Sequence, residues 1–255
     1  MNNKIFDLTG KTVMITGGTQ GLGFTLARGF ATHGAQVILN ARRQEALDES
    51  VGVLSSEFPG AMGVLFDVTD TAGIEKAFHE LEEKGIQVDI LVNNAGIQRR
   101  FPLEEIPVAA WNEVIQTNLN AVQFVSQHAV KGMIRRQKGK IINICSLMSE
   151  LGRYSTGAYA AAKGGVKMLT RAMCTEWAKH NIQVNGIGPG YFATEMTQKL
   201  VRDQEFSQWL CKRTPAGRWG NPEELVGAAV FLASGASDFV NGQIIYVDGG
   251  ILAAL

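Results

Sequence analysis

The sequence predicts an α/β fold: a parallel sheet with helices on both faces. Two features carry this. Apolar runs alternate with amphipathic helical stretches along all 255 residues, the pattern of repeated strand–helix–strand units. No long linker, internal repeat or low-complexity segment interrupts the alternation, and the length suits one large domain, 1–255, with a full core.

Residues 12–16 read as the first strand. The loop Thr16-Gly17-Gly18-Thr19-Gln20-Gly21-Leu22-Gly23 runs from it into a helix reaching about His33. Glycines there let the backbone turn tightly and approach a pyrophosphate, whose charge sits at the helix N-terminus. Gly17, Thr19, Gln20, Gly21, Leu22 and Gly23 are therefore candidates for holding a dinucleotide. The second strand, 36–40, ends in Ala41-Arg42-Arg43. A carboxylate at this strand end would bond the adenosine ribose of NAD, whereas a small residue followed by two guanidinium groups favours NADP, with NAD a weaker substitute. The alternative is that Arg42 and Arg43 simply begin a solvated helix.

Residues 61–66 form a third strand ending in Asp67-Val68, and 71–84 a helix. The fourth strand, 88–92, ends in Asn93-Asn94-Ala95-Gly96. Small and amide residues there suit close approach of a cofactor, or the amides pin neighbouring strands. Arg99 and Arg100 follow on the side of the sheet where open α/β sheets bind ligands, as anion holders or as surface charges. The pattern is helical from 107 to 137, with Asn118 and Asn120 in its middle. Such amides usually face water, though one could bridge a water to Lys163.

The run 140–146 reads as a buried strand closing on Ser146. A loop, 147–156, leads to a helix over 157–180 that carries Tyr159 and Lys163. Four residues apart on a helix, these two side chains share a face. An ammonium a few Å from a phenol favours the phenolate, so the pair reads as a tunable acid/base, and a hydroxyl at the adjacent strand end can bond a carbonyl oxygen as it gains charge. On spacing alone the pair would be a solvent-facing one; its surroundings decide for a site. Small residues Ala158, Ala161, Ala162, Gly164 and Gly165 permit close packing, including against a second subunit. A sixth strand, 182–187, is followed by Pro189-Gly190 and Thr194. Residues 195–218 are longer and more polar than a connection requires, which points to a substrate lid over about 191–218. Asn221-Pro222 opens a further helix, and 243–247 supplies the last strand.

Acidic and basic residues balance at 24 each, which offers no general attraction to nucleic acid or an anionic membrane. The N-terminus lacks the apolar run of a signal peptide and no apolar stretch spans a bilayer, so the expected location is cytoplasmic. Cys145, Cys174 and Cys211 show neither disulfide nor zinc spacing, the four histidines are scattered, and no metal is expected. Cys145 reads as a small apolar strand residue rather than a nucleophile.

With these motifs in order, the chain resembles the short-chain dehydrogenase/reductase family over essentially its whole length. Thr16 to Gly23 is similar to that family's cofactor loop, Asn93 to Gly96 to its Asn-Asn-Ala-Gly segment, and Asn118, Ser146, Tyr159 and Lys163 to its catalytic tetrad. Pro189, Gly190 and Thr194 match the segment that lies beside the nicotinamide. The resemblance implies a Rossmann-type, doubly wound sheet of seven parallel strands and a homotetramer. It extends the cofactor site to Asp67, Val68, Asn94, Ala95, Gly96, Tyr159 and Lys163, and gives Lys163 the nicotinamide ribose and Asn118 a relay water. The runs 94–100, 143–150, 191–197 and 209–220 resemble the family's gluconate 5-dehydrogenase branch, implying hydride transfer at C5 of a sugar acid. For its carboxylate, Arg99, Arg100 and Arg153 are candidates in falling order, and Glu150 could accept from sugar hydroxyls beside Ser146 and Tyr159. The competing readings are a 2-deoxy-D-gluconate 3-dehydrogenase, a 3-oxoacyl-carrier-protein reductase, and, outside catalysis, a dinucleotide-binding regulator.

Overall fold

The computed structural model describes residues 3–194 and 197–255. Met1, Asn2, Glu195 and Met196 lie outside the described residues, the last two within the expected lid. Seven parallel strands form one sheet: β1 (Thr12–Thr16), β2 (Gln36–Ala41), β3 (Met62–Leu65), β4 (Ile90–Asn93), β5 (Gly139–Ile144), β6 (Ile182–Pro189) and β7 (Ile244–Val247). Their spatial order is β3-β2-β1-β4-β5-β6-β7. The chain builds outward from β1 to the β3 edge, then crosses back to place β4 on the other side of β1, paired through Val13 with Ile90 and Ile15 with Val92.

The helices are α1 (Gly21–Thr32), α2 (Gln44–Glu57), α3 (Thr71–Glu83), α4 (Val108–Ile115), α5 (Ala121–Arg136), α6 (Gly157–Trp177), α7 (Gln198–Arg202), α8 (Gln204–Arg213) and α9 (Val226–Ala233). Leu26 and Phe30 of α1, Leu47 and Leu54 of α2 and Val230 of α9 cover one face of the sheet. Ile74 and Leu81 of α3, Val125 and Met133 of α5 and Met173 of α6 cover the other. Strand burial follows from this double coverage. All four residues of β4 and all eight of β6 are buried, whereas edge strand β3 alternates. Among the described residues, no helix is long and apolar enough to cross a membrane.

The helical stretch expected over 107–137 runs unbroken from Val108 to Arg136 but changes its bonding midway. Gln116–Asn120 forms a π turn between α4 and α5. Likewise 147–156 holds a short 3-10 helix, Leu147–Ser149, and the end of the long helix tightens into another at Ala178–His180. A buried polar network ties the second half of the sheet to its helices. Asn93 Nδ2 donates to Asn143 Oδ1 at 2.8 Å and to Ser126 Oγ at 2.9 Å, and Asn143 Nδ2 donates to Thr170 Oγ1 at 2.9 Å. Every member is paired, the condition under which buried amides hold register without leaving orphaned groups.

Candidate active site

The parallel strands end along one edge of the sheet, and there the sequence's candidates converge. Thr16 Oγ1 accepts the backbone N–H groups of Asn94 and Ala95 at 3.0 and 3.1 Å, while Asn94 Nδ2 donates to the carbonyls of Thr16 and Gly17 at 3.0 and 2.9 Å. The Asn94 side chain is thus committed to shaping the glycine loop, and Asn93 to the strand network. Pinning, the alternative reading of these amides, is what both side chains do.

Glycine is required where the loop enters α1. Gly17 and Gly21 lie at φ +60° and +53°. A Cβ on Gly23 would stand 2.5 Å from both the Gly17 carbonyl and Asn94 Nδ2. Gln20, at the helix N-cap, makes no side-chain capping bond. The first amides of α1 therefore lack a side-chain acceptor, as an anion-binding helix start should. Ser50 Oγ donates to the Thr19 carbonyl at 3.0 Å and steadies the loop from α2.

Beyond β2, the Arg42 guanidinium is mostly exposed and only loosely paired, 3.9 Å from Asp67 Oδ2, at a cavity of about 290 Å³ shared with Leu65 and Phe66. Asp67 Oδ1 accepts from both the N–H and the hydroxyl of Thr69, which fixes the turn containing buried Val68. Arg43 is exposed at the N-cap of α2. A loosely held, exposed guanidinium beside a bare helix start fits a dinucleotide carrying an extra phosphate.

The chemistry-bearing groups lie one layer further along the edge. A Cβ on Gly96 would stand 2.6 Å from Asn118 Oδ1. Asn118 is fully buried: Oδ1 accepts from Ile97 N at 3.1 Å, and Nδ2 donates to the Ile97 and Val114 carbonyls, each at 2.9 Å. Both Nδ2 protons and one Oδ1 lone pair of this π-turn residue are thus spent on the backbone. Asn120 bonds Gln116 Oε1 at 2.7 Å.

Tyr159, with Ile97, Trp111, Ile115 and Leu119, packs against a buried cluster of Val114, Ala158 and Ala162. Ser146 draws the titration of the Tyr159 phenol downward. Ser146 Oγ accepts Met148 N at 3.1 Å, which leaves its own proton free to be donated. Lys163 is almost completely buried; its Nζ donates to the Ile144 carbonyl at 2.6 Å and lies 5.7 Å from the Tyr159 ring centre. The expected acidification by Lys163 is not what these surroundings produce. Burial pushes the phenol above its ordinary value, Ser146 pulls it down, and the lysine contributes nothing resolved. Burial brings Lys163 itself down to about 8, so its charge is gone before a phenol raised above its ordinary value gives up its proton. Cys145, buried behind them, is pushed up to about 11 and stays a neutral thiol, in agreement with its reading as strand filler.

The substrate candidates separate. Arg99 is clamped by Glu113 through bonds of 2.9 and 2.8 Å and is largely neutralised. Arg100 is exposed and bonds Ser155 Oγ at 3.2 Å. Arg153, placed last by sequence, sits among aromatic rings: Nη1 donates to Tyr191 Oη at 2.9 Å and the guanidinium lies 4.6 Å over the Phe206 ring. The Glu150 carboxylate takes Lys167 Nζ and the Tyr246 hydroxyl, the latter at 2.7 Å, and these bonds hold it below the usual carboxylate range.

Pro189 is buried at the end of β6, and a Cβ on Gly190 would stand 2.7 Å from Asp248 Cα. Thr194 Oγ1 is 3.1 Å from Thr197 Oγ1. Sequence reasoning missed Tyr191, Phe206 and Trp219, whose rings meet at 5.8 to 6.2 Å, and Ser149. Aromatic residues in an otherwise polar segment were the available signal. Among the described residues, no cluster of His, Cys, Asp or Glu could hold a metal ion.

Comparison with known proteins places this geometry. A family profile described as enoyl-(acyl carrier protein) reductase matches residues 17–252. The chain is 54% identical to the 5-keto-D-gluconate 5-reductase of Escherichia coli strain K12, over 99% of this chain and all of that one. It is 50% identical to the 2-dehydro-3-deoxy-D-gluconate 5-dehydrogenase of Formosa agariphila, over all of this chain and 97% of the other. The crystal structure of a gluconate 5-dehydrogenase from Burkholderia cenocepacia, in complex with NADP and tartrate, superposes with a TM-score of 0.96 at 50% identity, over 99% of both chains. With fold, motif order and full-length identity in agreement, the chain belongs to the short-chain dehydrogenase/reductase family.

Proposed function

We propose that this protein is an NADP(H)-dependent oxidoreductase that interconverts D-gluconate and 5-dehydro-D-gluconate. The observation that carries the reading is the Tyr159 phenol set beside a buried Lys163, 5.7 Å from its ring centre, and within the influence of Ser146, in a chain 54% identical to a 5-keto-D-gluconate 5-reductase. NADP, when bound, gives or takes the hydride at C5. Gly17, Thr19, Gln20, Gly21, Leu22 and Gly23 would cradle its pyrophosphate, and Arg42, with Arg43, its 2′-phosphate. Asp67, Val68, Ala95, Gly96, Pro189, Gly190 and Thr194 would line the rest, and Lys163 would hold the nicotinamide ribose.

In reduction, Tyr159 Oη donates a proton to the carbonyl oxygen while Ser146 Oγ bonds the same oxygen as its charge develops. Arg153 and Arg100 are assigned the sugar-acid carboxylate, with Arg153 seated on the lid residues Tyr191 and Phe206. Residues 191–218 act as the lid over a single domain. The working form is taken as a cytoplasmic homotetramer, with exposed Ala161 and Met168 of α6 offering a face to a second copy.

The test is nicotinamide absorbance with purified protein, crossing 5-ketogluconate with NADPH and NADH. Expected are turnover with both partners, a preference for NADPH, and a loss of about 10²- to 10⁴-fold in Tyr159→Phe. The Formosa relative motivates a second substrate, 2-dehydro-3-deoxygluconate. In the oxidising direction with NADP+, if its kcat/KM exceeds that of D-gluconate by more than about a hundredfold, the discrimination a small group in a tolerant pocket gives, that substrate replaces gluconate in the reading. A Tyr159→Phe protein with full turnover would instead favour the regulator.

A further inference from the structure

Ser146 and Tyr159 reach the site from different elements, one from the loop after β5 and the other from the first turn of α6. Something must fix their separation. Lys163 Nζ makes one stitch between the two elements, at the Ile144 carbonyl. The second is Ser149. Its Oγ accepts the backbone N–H of Ser146 at 3.3 Å and donates to the Lys163 carbonyl at 2.9 Å. One turn further along α6, the neighbouring Glu150 takes Lys167 Nζ, and it reaches β7 through Tyr246. The loop bearing the catalytic hydroxyl is thus fastened to the catalytic helix at two successive turns.

We propose that Ser149 is a positioning residue: its hydroxyl, bridging the backbone of Ser146 to that of Lys163, sets the distance between the Ser146 hydroxyl and the Tyr159 phenol. The inference rests on the assignment of Ser146 and Tyr159 as the reacting pair. Ser149 itself is not a proton donor to substrate, because its own proton is committed to the Lys163 carbonyl. Glu150 supports the same loop through side-chain bonds that are more exposed to water.

The phenol gives a direct readout. The groups facing it are Ser146, Lys163 and the neutral Cys145 thiol, and the cluster it packs against is apolar. Of these, Ser146 draws its titration downward. In Ser149→Ala the Ser146 hydroxyl is released from its set position beside the phenol, so Tyr159 titrates higher. The experiment compares the wild type, Ser149→Ala and Ser149→Thr without added cofactor, by ultraviolet difference titration of tyrosinate with Tyr159→Phe subtracted. Steady-state kinetics and thermal melting of each accompany it.

Expected for Ser149→Ala is an upward shift of the Tyr159 titration by about half to one pH unit, the size of a weakened neutral hydrogen bond. With it goes a fall in kcat of about 10- to 100-fold, while KM for cofactor and substrate change by less than about threefold. Ser149→Thr, which keeps the hydroxyl, restores both. An unmoved titration with unchanged kcat overturns the proposal. So does an unmoved titration with kcat, KM and melting temperature all impaired, which would mark a general loosening. A Tyr159→Phe protein that keeps its activity would remove the functional reading itself, whatever Ser149 does.

Discussion

Lys163 shows what the site costs at the level of one residue. Burial holds its ammonium at about 8 rather than 10.5, a penalty of about 3 kcal/mol to the folded state at neutral pH. The sign follows from proton counting. Below about 8 the lysine is charged in both folded and unfolded chains and the penalty is full. Between about 8 and 10.5 the unfolded chain binds more protons, so stability rises with pH. Lys163→Met is therefore expected to lose activity and gain about 1–3 kcal/mol against urea at pH 7, with the gain vanishing above pH ~10. A variant no more stable than wild type at pH 7 would show that the bond to the Ile144 carbonyl offsets the burial. Arg42 is the second single-residue case. Removing a charge-assisted bond worth about 1.5–3 kcal/mol should raise KM for NADPH by about 10- to 100-fold and leave that for NADH nearly unchanged. Equal effects on both cofactors would return Arg42 to a mere surface charge. At this scale the sequence was legible for identities and blind to environment. Spacing put Tyr159 and Lys163 on one face, but no spacing records that a carbonyl waits for the ammonium, or that Glu150 turns to Lys167.

At the level of elements, the departures from the sequence reading lie where helices stop being regular. The helical pattern continues through 107–137 because helix runs on through the π turn, and an average over many residues does not see one inserted position. The signal was local: an Asn fully buried in mid-helix needs backbone partners, and Ile97 supplies them. The glycine loop, by contrast, was readable, since a strand, a run of glycines and a helix start each constrain the other two. Gly23→Ala is expected to fold but to bind NADPH at least about tenfold more weakly by fluorescence titration, because its methyl would displace both Asn94 and the Gly17 carbonyl. The lid was read from its length and polarity alone. Its hold on the catalytic loop was not, because Leu147 meeting Leu210 and Ile251 is a contact across distant sequence. Arg153→Ala, which removes the guanidinium between loop and lid, should raise KM for the sugar acid by about 10- to 100-fold with little change in KM for NADPH. An unchanged sugar-acid KM would take Arg153 out of the substrate site.

At the level of the whole molecule, the reversal of strand order at β1 and β4 divides the labour. Strands β1 and β2 end in the glycine loop and Arg42, and strands β5 and β6 lead into Ser146 and the segment proposed as the lid. Parallel strands and helices on both faces follow from the residue pattern. Seven strands could be counted along the chain, but their union in one doubly wound sheet came from family resemblance, because pairing between distant strands leaves no mark within either one. If the halves are energetically separate, the Arg42→Ala and Arg153→Ala losses in kcat/KM should multiply to within about a factor of two, and a larger departure would reveal coupling through the sheet.

That division also bears on how such a catalyst diversifies. With the grip on the adenosine end hung from one wing of the sheet and the ketone's partners from the other, mutations that switch between the phosphorylated and plain dinucleotides need not disturb stereochemistry at the sugar carbon. Lineages are then free to drift in one trait while selection holds the other still.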